Sequence, residues 1–82
     1  MSTRARIREY IVESFFVDGF SDEESFLRSS IIDSIGMLEL VAFLEKEFGI
    51  KIADTELVPE NLDSLARVSA FVERKQDATN AA

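Results

Sequence analysis

The segment covering residues 26–48 reads Phe-Leu-Arg-Ser-Ser-Ile-Ile-Asp-Ser-Ile-Gly-Met-Leu-Glu-Leu-Val-Ala-Phe-Leu-Glu-Lys-Glu-Phe, and it decides the fold. In its second half, apolar residues recur at helical spacing and fall on one stripe that is expected to face a core. This core stripe consists of Met37, Leu40, Val41, Leu44 and Phe48. Asp33 and Ser34 precede the stripe, where a side-chain oxygen can accept hydrogen bonds from the unpaired N–H groups of a first helical turn. The sequence therefore predicts a helix that begins at Ser34.

The other side of this helix is apolar in its middle and charged at its margins. This exposed arc consists of Ile35, Leu38, Ala42, Glu39, Glu45 and Lys46. Scattered apolar residues are ordinary on protein surfaces, but three on one arc beside Ser34 are less ordinary, so a partner-binding face is the second interpretation. Phe43 lies off both the core stripe and the exposed arc, and the pattern does not place it.

The segment resembles the prosthetic-group attachment site of acyl and peptidyl carrier proteins. In that family an Asp-Ser-Leu motif opens the second helix, and the serine carries 4′-phosphopantetheine. The motif here is Asp33-Ser34-Ile35, in which Ile replaces the usual Leu but remains apolar and branched. Further segments extend the likeness over about residues 20–74, namely Glu39-Leu40-Val41, Leu44-Glu45, Glu47-Phe48-Gly49-Ile50, Ile52, Asp54, Glu56 and Pro59-Glu60-Asn61-Leu62.

The resemblance implies a carrier that catalyses no reaction itself. Ser34 would hold 4′-phosphopantetheine between Asp33 and Ile35, and the arm would carry an acyl or aminoacyl group as a thioester. The implied partners are a phosphopantetheinyl transferase, a ligase that activates the acyl or aminoacyl group, and downstream enzymes of a fatty-acid, polyketide or nonribosomal-type pathway. The residues implied to meet basic patches on these enzymes are Ile35, Leu38, Glu39, Ala42 and Glu45.

The carried group is left open by the sequence. The run Ile31-Ile32-Asp33-Ser34 looks more like free-standing carriers of specialised pathways than like the housekeeping fatty-acid carrier. The segments Phe48-Gly49-Ile50 and Pro59-Glu60-Asn61 support the same interpretation. D-alanyl carriers share the Ile-Asp-Ser type of sequence and remain an alternative.

Length and composition limit the fold and the function. Eighty-two residues make one small domain, and 46% hydrophobic and 30% charged residues, with 3 Gly and 1 Pro, favour a helical fold. Without Cys and His the chain lacks disulfides, thiolates and the commonest general base. A net charge of −7 disfavours nucleic acid and anionic membranes and favours partners rich in Lys and Arg. No signal peptide or membrane-length apolar run is visible, which predicts a cytoplasmic protein, and we expect a monomer.

Composition and periodicity predict an all-α fold of three main helices plus one short helix, and the resemblance implies that they form a small acyl-carrier-like bundle. The main helices are expected at about residues 3–16, 34–48 and 63–75, and the short one near 55–58. The predicted core contains Ile7, Ile11, Leu40, Leu44, Phe48, Ile52, Val68 and Val72. The carrier domain would cover residues 1–75. Residues 76–82 are small and polar without periodicity, and are expected to form a disordered tail.

The segment between the first two helices is predicted to be a long loop held to the core by apolar anchors. These anchors are Phe20, Phe26, Leu27 and Ile31. The loop also contains the carboxylates Asp18, Asp22, Glu23 and Glu24. They do not follow the spacing of an EF-hand calcium loop, because Phe20 stands at the third position and Gly19 at the second. We therefore expect a solvated acidic loop and no metal site.

Three classes of function remain for such a chain. The first is the carrier, and the second is a small acidic helical module that docks a partner without any prosthetic group. The third class, an enzyme, is the weakest. A reactive serine needs a base within hydrogen-bond reach, but the chain has no His, and Asp33 beside Ser34 is not a catalytic dyad. The intact mass after exposure to a phosphopantetheinyl transferase separates the first two, because only the carrier gains a phosphopantetheine.

A second motif, Asp63-Ser64-Leu65, opens the last predicted helix and matches the family pattern literally. Only 18 residues follow Ser64, too few for the helix, loop and closing helix that come after the attachment serine in the carrier fold. The basic residues of the helix that follows are Arg67, Arg74 and Lys75. These would repel the basic surface of a transferase. Ser34 is therefore the predicted attachment site, and Asp63 and Ser64 are predicted to cap the last helix.

Gly36 stands in the first turn after Ser34, where glycine lowers helix stability by up to ~1 kcal/mol relative to alanine. Two interpretations stay open. The glycine is either a tolerated departure from good helix composition or a gap that gives a modifying enzyme access to Ser34.

Overall fold

The three long helices form close to the positions that the sequence predicts for the main helices. The chain is described by a computed structural model over residues 2–17 and 19–80. Its elements in chain order are α1 (Thr3–Phe15), α2 (Ser34–Phe48), a 3₁₀ turn (Asp54–Glu56), α3 (Pro59–Leu62) and α4 (Leu65–Asn80). Those described ranges contain no strand. The predicted all-α bundle with three long helices is thereby confirmed.

Local signals fix the ends of the first two helices. Ser2 caps α1, since its side-chain oxygen accepts a hydrogen bond from the Ala5 N–H at 3.1 Å. α2 ends at Gly49, whose φ of 64° is the left-handed conformation that glycine adopts at low cost. Both helices therefore begin and end close to their predicted boundaries.

The short helix lies later in the chain than predicted. In place of one helix near residues 55–58, the structure has a 3₁₀ turn followed by α3, with Pro59 as the first helical residue. Proline suits this position, because the first turn does not use its missing N–H and its φ is already helical. Pro59 therefore starts a helix here.

The last helix is longer than predicted and takes up most of the expected disordered tail. It covers Leu65–Asn80, where the expected range was 63–75. Gln76 donates from its side chain to the Phe48 carbonyl at 3.5 Å, which connects this end of α4 to α2. Extending a nucleated helix costs little, so the loss of apolar periodicity does not end it. Residues 81 and 82 of the expected tail lie outside the described residues.

The core is built by the long helices, α3 and the connecting segments. Its buried apolar residues are Ile7, Ile11, Phe20, Phe26, Ile32, Leu40, Leu44, Ile50, Leu62, Leu65, Val68, Phe71 and Val72. Six of the eight predicted core residues belong to this set, while Phe48 and Ile52 are half-buried and pack against it. Of the predicted loop anchors, Phe20 and Phe26 are buried, but Leu27 is 43% exposed.

Ion pairs hold the long loop against α1. Arg8 donates to the Asp22 carboxylate and to the Phe20 carbonyl, the latter at 2.9 Å, and Arg4 pairs with Asp22 at 2.8 Å. The hydrogen bond from Arg8 and the charge of Arg4 lower the pKa of Asp22. These contacts hold the loop where the Phe20 ring reaches the core.

Phe43, which the sequence pattern does not place, connects α2 to α1. Its ring stacks on Tyr10 with the ring centroids 3.8 Å apart and an interplanar angle of 9°. The guanidinium carbon of Arg6 lies 5.1 Å from the centroid of the Phe43 ring, within the range of a cation–π contact. Tyr10 also donates its hydroxyl to the Glu39 carbonyl at 3.3 Å. These contacts position α2 alongside α1.

Candidate functional site

Asp33 and Ser34 have different tasks at the start of α2. Asp33 is the N-cap: its carboxylate accepts a hydrogen bond from the Gly36 N–H at 2.6 Å, and its carbonyl accepts one from the Met37 N–H at 2.8 Å. A cap of this kind typically contributes about 1 kcal/mol. Ser34 is the first helical residue. An Asp-Ser pair in a sequence does not by itself tell which of the two residues caps the helix. In this structure the cap is Asp33.

The Ser34 side chain is exposed to solvent. Within the described part of the chain, its hydroxyl makes no hydrogen bond. The first turn of a helix carries partial positive charge, because the peptide dipoles are aligned and the first N–H groups lack helical partners. A phosphodiester on Ser34 Oγ would be favoured by this charge. The site therefore fits a phosphopantetheine group in both access and electrostatics.

An apolar cavity of about 180 Å³ lies beside Ser34. Its lining residues from α2 are Ser34, Met37, Leu38 and Val41, and the rest of the lining comes from Leu27 and from Leu57, Val58, Pro59, Leu62 and Asp63. Met37 and Val41 are half-buried because they border this cavity, although the helical pattern assigns them to the core. An apolar protein cavity of about 150 Å³ is large enough to bind benzene. The cavity beside Ser34 is half-open to solvent and has a comparable volume lined mainly by apolar side chains.

The exposed arc of α2 presents most of the residues that the helical spacing assigns to it. Ile35 and Leu38 are 72% and 60% exposed, and Glu39 and Ala42 are exposed as well. Grouped apolar side chains on a surface mark interaction sites more often than single ones do. The arc therefore combines apolar contact area with a carboxylate near the exposed serine.

Glu45 differs from its predicted place on this arc. It is half-buried, and its carboxylate accepts a hydrogen bond from the Ile52 N–H at 2.9 Å. The bond ties the segment after α2 back to the helix. On the helical projection Glu45 falls at the edge of the arc next to the core stripe, which is why it reaches this segment. Glu39 is thus the more exposed of the two carboxylates proposed for docking.

Gly36 is buried, and neither of its two sequence interpretations describes its role. A Cβ built at this position would lie 2.7 Å from the Phe15 ring and 3.1 Å from both the Asp33 carboxylate and the Ile32 side chain. A contact of 2.7 Å is too short for a carbon atom. The glycine is therefore required for the close packing of Phe15 on the first turn of α2. The sequence gives no signal for this, since Phe15 and Gly36 are 21 positions apart.

The second motif has the opposite arrangement. Ser64 is only 3% exposed, and its hydroxyl oxygen accepts a hydrogen bond from the Arg67 N–H at 3.1 Å, so Ser64 caps α4. Asp63 does not share this task, contrary to the prediction. Its carboxylate accepts hydrogen bonds from the Leu27 N–H at 3.0 Å and from the Ser25 hydroxyl. Asp63 thus holds the long loop, and Ser64 is withdrawn from solvent.

Two further features bear on other classes of site. Among the described residues, no group of three or more His, Cys, Asp or Glu side chains is placed to hold a metal ion. Of the acidic loop, Asp22 is engaged by arginines, and Asp18 lies outside the described residues. No helix in the described ranges has the length and apolar composition needed to cross a membrane.

The comparison with known families agrees with this site. A family profile described as a phosphopantetheine attachment site matches residues 5–72 of the chain. An exposed serine at the start of the second helix of a small helical bundle is what such a carrier requires. The chain belongs to the acyl and peptidyl carrier protein family.

Individual relatives point to the same class. The acyl carrier protein of Bdellovibrio bacteriovorus is 31% identical over 80 residues, which cover 95% of this chain and 100% of that protein. The acyl carrier protein of Solidesulfovibrio magneticus is 27% identical over 78 residues, 93% of this chain and 97% of the relative. The D-alanyl carrier protein of Abiotrophia defectiva is 36% identical over 45 residues, 55% of this chain and 57% of the relative.

Membership in this family sets the role of the chain. Its members are not enzymes but carriers that are themselves modified by a phosphopantetheinyl transferase, and the present chain is such a carrier. Its cofactor is covalently attached 4′-phosphopantetheine. The terminal sulfur of this group is the atom on which a carrier of this family holds its cargo as a thioester.

Proposed function

We propose that Ser34 is the attachment residue and that the chain presents an acyl or aminoacyl group to enzymes of a fatty-acid, polyketide or nonribosomal-type pathway. The observation that carries this proposal is the Ser34 hydroxyl at the first turn of α2, which is exposed and makes no hydrogen bond to the residues that the structure describes. The competing Ser64 is buried and engaged as a cap. The positive end of α2 favours the phosphodiester that attachment creates.

Attachment forms a bond between Ser34 Oγ and the phosphorus of the pantetheine phosphate in coenzyme A, and the adenosine bisphosphate portion leaves. The serine must lose its proton in this step. The nearest carboxylate in sequence, Asp33, is already engaged by the Gly36 N–H, and the chain contains no His. We therefore assign the general base to the transferase and a purely nucleophilic role to Ser34.

The cavity beside Ser34 supports an apolar acyl end as cargo. Its volume of about 180 Å³ suits a group near the size of benzene, and its walls are mainly aliphatic side chains. An aminoacyl group remains the second candidate cargo, because one relative is a D-alanyl carrier protein. A charged α-amino group would gain nothing from aliphatic walls. Loading the modified protein in a lysate of its source and weighing the thioester distinguishes the two.

Partner enzymes are proposed to dock on the exposed arc of α2. Ile35, Leu38 and Ala42 would supply apolar contact, and Glu39 would steer basic surfaces, with a smaller contribution from Glu45 because it is already hydrogen-bonded. The net charge of −7 supports a basic partner. The predicted cytoplasmic location and monomeric state, and the predicted absence of nucleic-acid and membrane binding, stay predictions.

The proposal is tested by incubating the purified chain with a phosphopantetheinyl transferase, coenzyme A and Mg²⁺, followed by intact mass and trypsin digestion. We expect one added phosphopantetheine. Cleavage after Arg28 and Lys46 places Ser34 on the peptide 29–46, and cleavage after Lys51 and Arg67 places Ser64 on the peptide 52–67. Added mass on the peptide 52–67, or none on the intact chain, would contradict the assignment. An interaction module without a prosthetic group, the alternative function, would also gain no mass.

A further inference from the structure

Phe16, the residue directly after α1, is the most exposed large apolar side chain of the described residues. It is 91% exposed, whereas its neighbour Phe15 is half-buried. A phenylalanine ring in water forgoes most of the burial energy that such a large apolar side chain can gain. The ring of Phe16 therefore contributes little to folding in the isolated chain.

The backbone of Phe16 is unfavourable as well. It ends α1 with φ of 56° and ψ of 40°, the left-handed conformation. Glycine and asparagine are the usual residues at such helix ends, and a bulky side chain with positive φ is uncommon. Among the described residues, only Ser30 also combines a side chain with positive φ. The exposed ring and the left-handed backbone of Phe16 thus each lower the stability of the free protein. Strained backbone conformations of this kind concentrate at functional positions.

Phe16 lies next to the start of α2. The preceding ring, Phe15, packs on Gly36, since a Cβ there would come within 2.7 Å of it. Gly36 directly follows Ile35, which is 72% exposed, and is two residues from Ser34. The end of α1 therefore packs against the first turn of α2, and the exposed residues Phe16 and Ile35 are the direct sequence neighbours of the two residues in this contact.

Both helices of this contact carry an exposed carboxylate. Glu13, in the last turn of α1, and Glu39 on α2 are exposed carboxylates. The arginines of α1 lie in its first two turns and are paired with carboxylates: Arg4 and Arg8 with Asp22, and Arg6 with Glu9 and Glu47. An exposed apolar ring on a chain of net charge −7 complements a protein surface that offers an apolar pocket between Lys and Arg side chains.

We propose that Phe16 is an apolar anchor for the phosphopantetheinyl transferase, so that the docking surface extends from α2 to the end of α1. This inference rests on the proposed role of Ser34. Exposure of the Phe16 ring destabilises the free carrier, and removal of the ring from water stabilises the complex. A few buried aromatic side chains commonly dominate the binding energy of such interfaces.

The test compares Phe16→Asn with the parent in stability and in transferase kinetics. Asparagine tolerates the left-handed conformation, so we expect the Tm to rise by about 2–6 °C. We expect kcat/KM of the transferase for the variant to fall by about fivefold to thirtyfold. The loss should persist at high salt, because the contact is apolar and is not screened. Phe16→Leu, which keeps an apolar side chain, should retain most of the parent rate.

Ser30→Gly is the matched control, since it relieves positive φ at the other such position without removing an apolar group. It should be modified at the parent rate. An unchanged kcat/KM for Phe16→Asn would overturn the inference while leaving Ser34 as the attachment site. A parent dimer that Phe16→Asn dissociates, again with unchanged kcat/KM, would assign the ring to self-association and also overturn it. A parent that gains no mass at all would overturn the proposed function, and this inference with it.

Discussion

The two Asp-Ser pairs of this chain have the same residues at the start of a helix and opposite roles. In the first pair the aspartate caps the helix and the serine is exposed, since Asp33 accepts from the Gly36 N–H. In the second pair the serine is the cap and is buried, while Asp63 turns to the loop and binds Leu27. The difference comes from where the helix begins: at the serine in α2, and one residue after it in α4. The residue that caps the helix therefore determines whether the serine of such a pair is left accessible or is engaged as the cap.

The largest expected difference between the pairs is in modification. Ser34→Ala should gain no phosphopantetheine with transferase, coenzyme A and Mg²⁺, because the nucleophilic oxygen is gone. Ser64→Ala should be modified like the parent. Intact mass measures both. Since Ser34 is exposed, its replacement should change the free energy of unfolding by no more than about 0.5 kcal/mol, so a loss of modification cannot be attributed to unfolding. Modification of Ser34→Ala but not of Ser64→Ala would reverse the assignment.

The next difference concerns the fourth position of each motif, counted from its aspartate, which is Gly36 in the first and Ala66 in the second. Gly36→Ala places a methyl group 2.7 Å from the Phe15 ring, and overpacking of this kind costs about 1–3 kcal/mol. Urea unfolding should show this loss. Adding Phe15→Leu should recover part of it, because the two changes act on one contact.

Ala66→Gly is the matched control for this steric effect. It places a glycine at the position that Gly36 has in the first motif. Through helix propensity alone, this change should lower the free energy of unfolding by no more than about 1 kcal/mol. The contrary result is that Gly36→Ala and Ala66→Gly lower the free energy of unfolding equally, with no recovery when Phe15→Leu is added. That result would mean that the packing of Phe15 does not distinguish the two sites.

A smaller effect is expected from the caps themselves. Asp33→Ala and Ser64→Ala each remove a side-chain oxygen that accepts from a first-turn N–H, at a typical cost of about 1 kcal/mol. Ser34→Ala should show no such loss in the same urea titration. If Ser34→Ala destabilised the chain as much as Asp33→Ala does, the two residues would share the cap and the contrast between the pairs would fail.

The sequence predicts those parts of the fold that depend on residues close together in the chain. The ends of α2 follow from Asp33, Gly49 and the apolar spacing between them, and the exposed position of Ser34 follows from the same pattern. The choice of Ser34 over Ser64 stays a prediction, which the exposure of Ser34 and the burial of Ser64 support.

The remaining features depend on contacts between distant residues. Phe43 stacks on Tyr10, 33 positions away, and Asp63 binds Leu27, 36 positions away. Glu45 is withdrawn from the exposed arc by the Ile52 N–H in a loop of irregular backbone. The cavity beside Ser34 exists only when α2 and the segment before α4 come together. Periodicity describes one helix at a time, so none of these positions could be derived from it.

The smallest expected difference is in the charge around each serine, and it is a difference in rate. Glu39 is exposed on α2, the helix after Ser34, and Glu73 is exposed on α4, the helix after Ser64. Glu39→Lys should slow modification severalfold at low ionic strength, because it replaces attraction to a basic transferase surface by repulsion. Glu73→Lys, with the same change in net charge, should have little effect.

Raising the salt concentration should reduce the effect of Glu39→Lys, because the Debye length shortens to about 8 Å at 0.15 M and to 3 Å at 1 M. The KM of the transferase should carry most of the change, since the charge acts on encounter and leaves the Ser34 hydroxyl in place. Equal slowing by Glu39→Lys and Glu73→Lys would show that only the total charge of the carrier matters. The carboxylate near Ser34 would then be an ordinary solvated side chain, and the partner face would consist of its apolar residues alone.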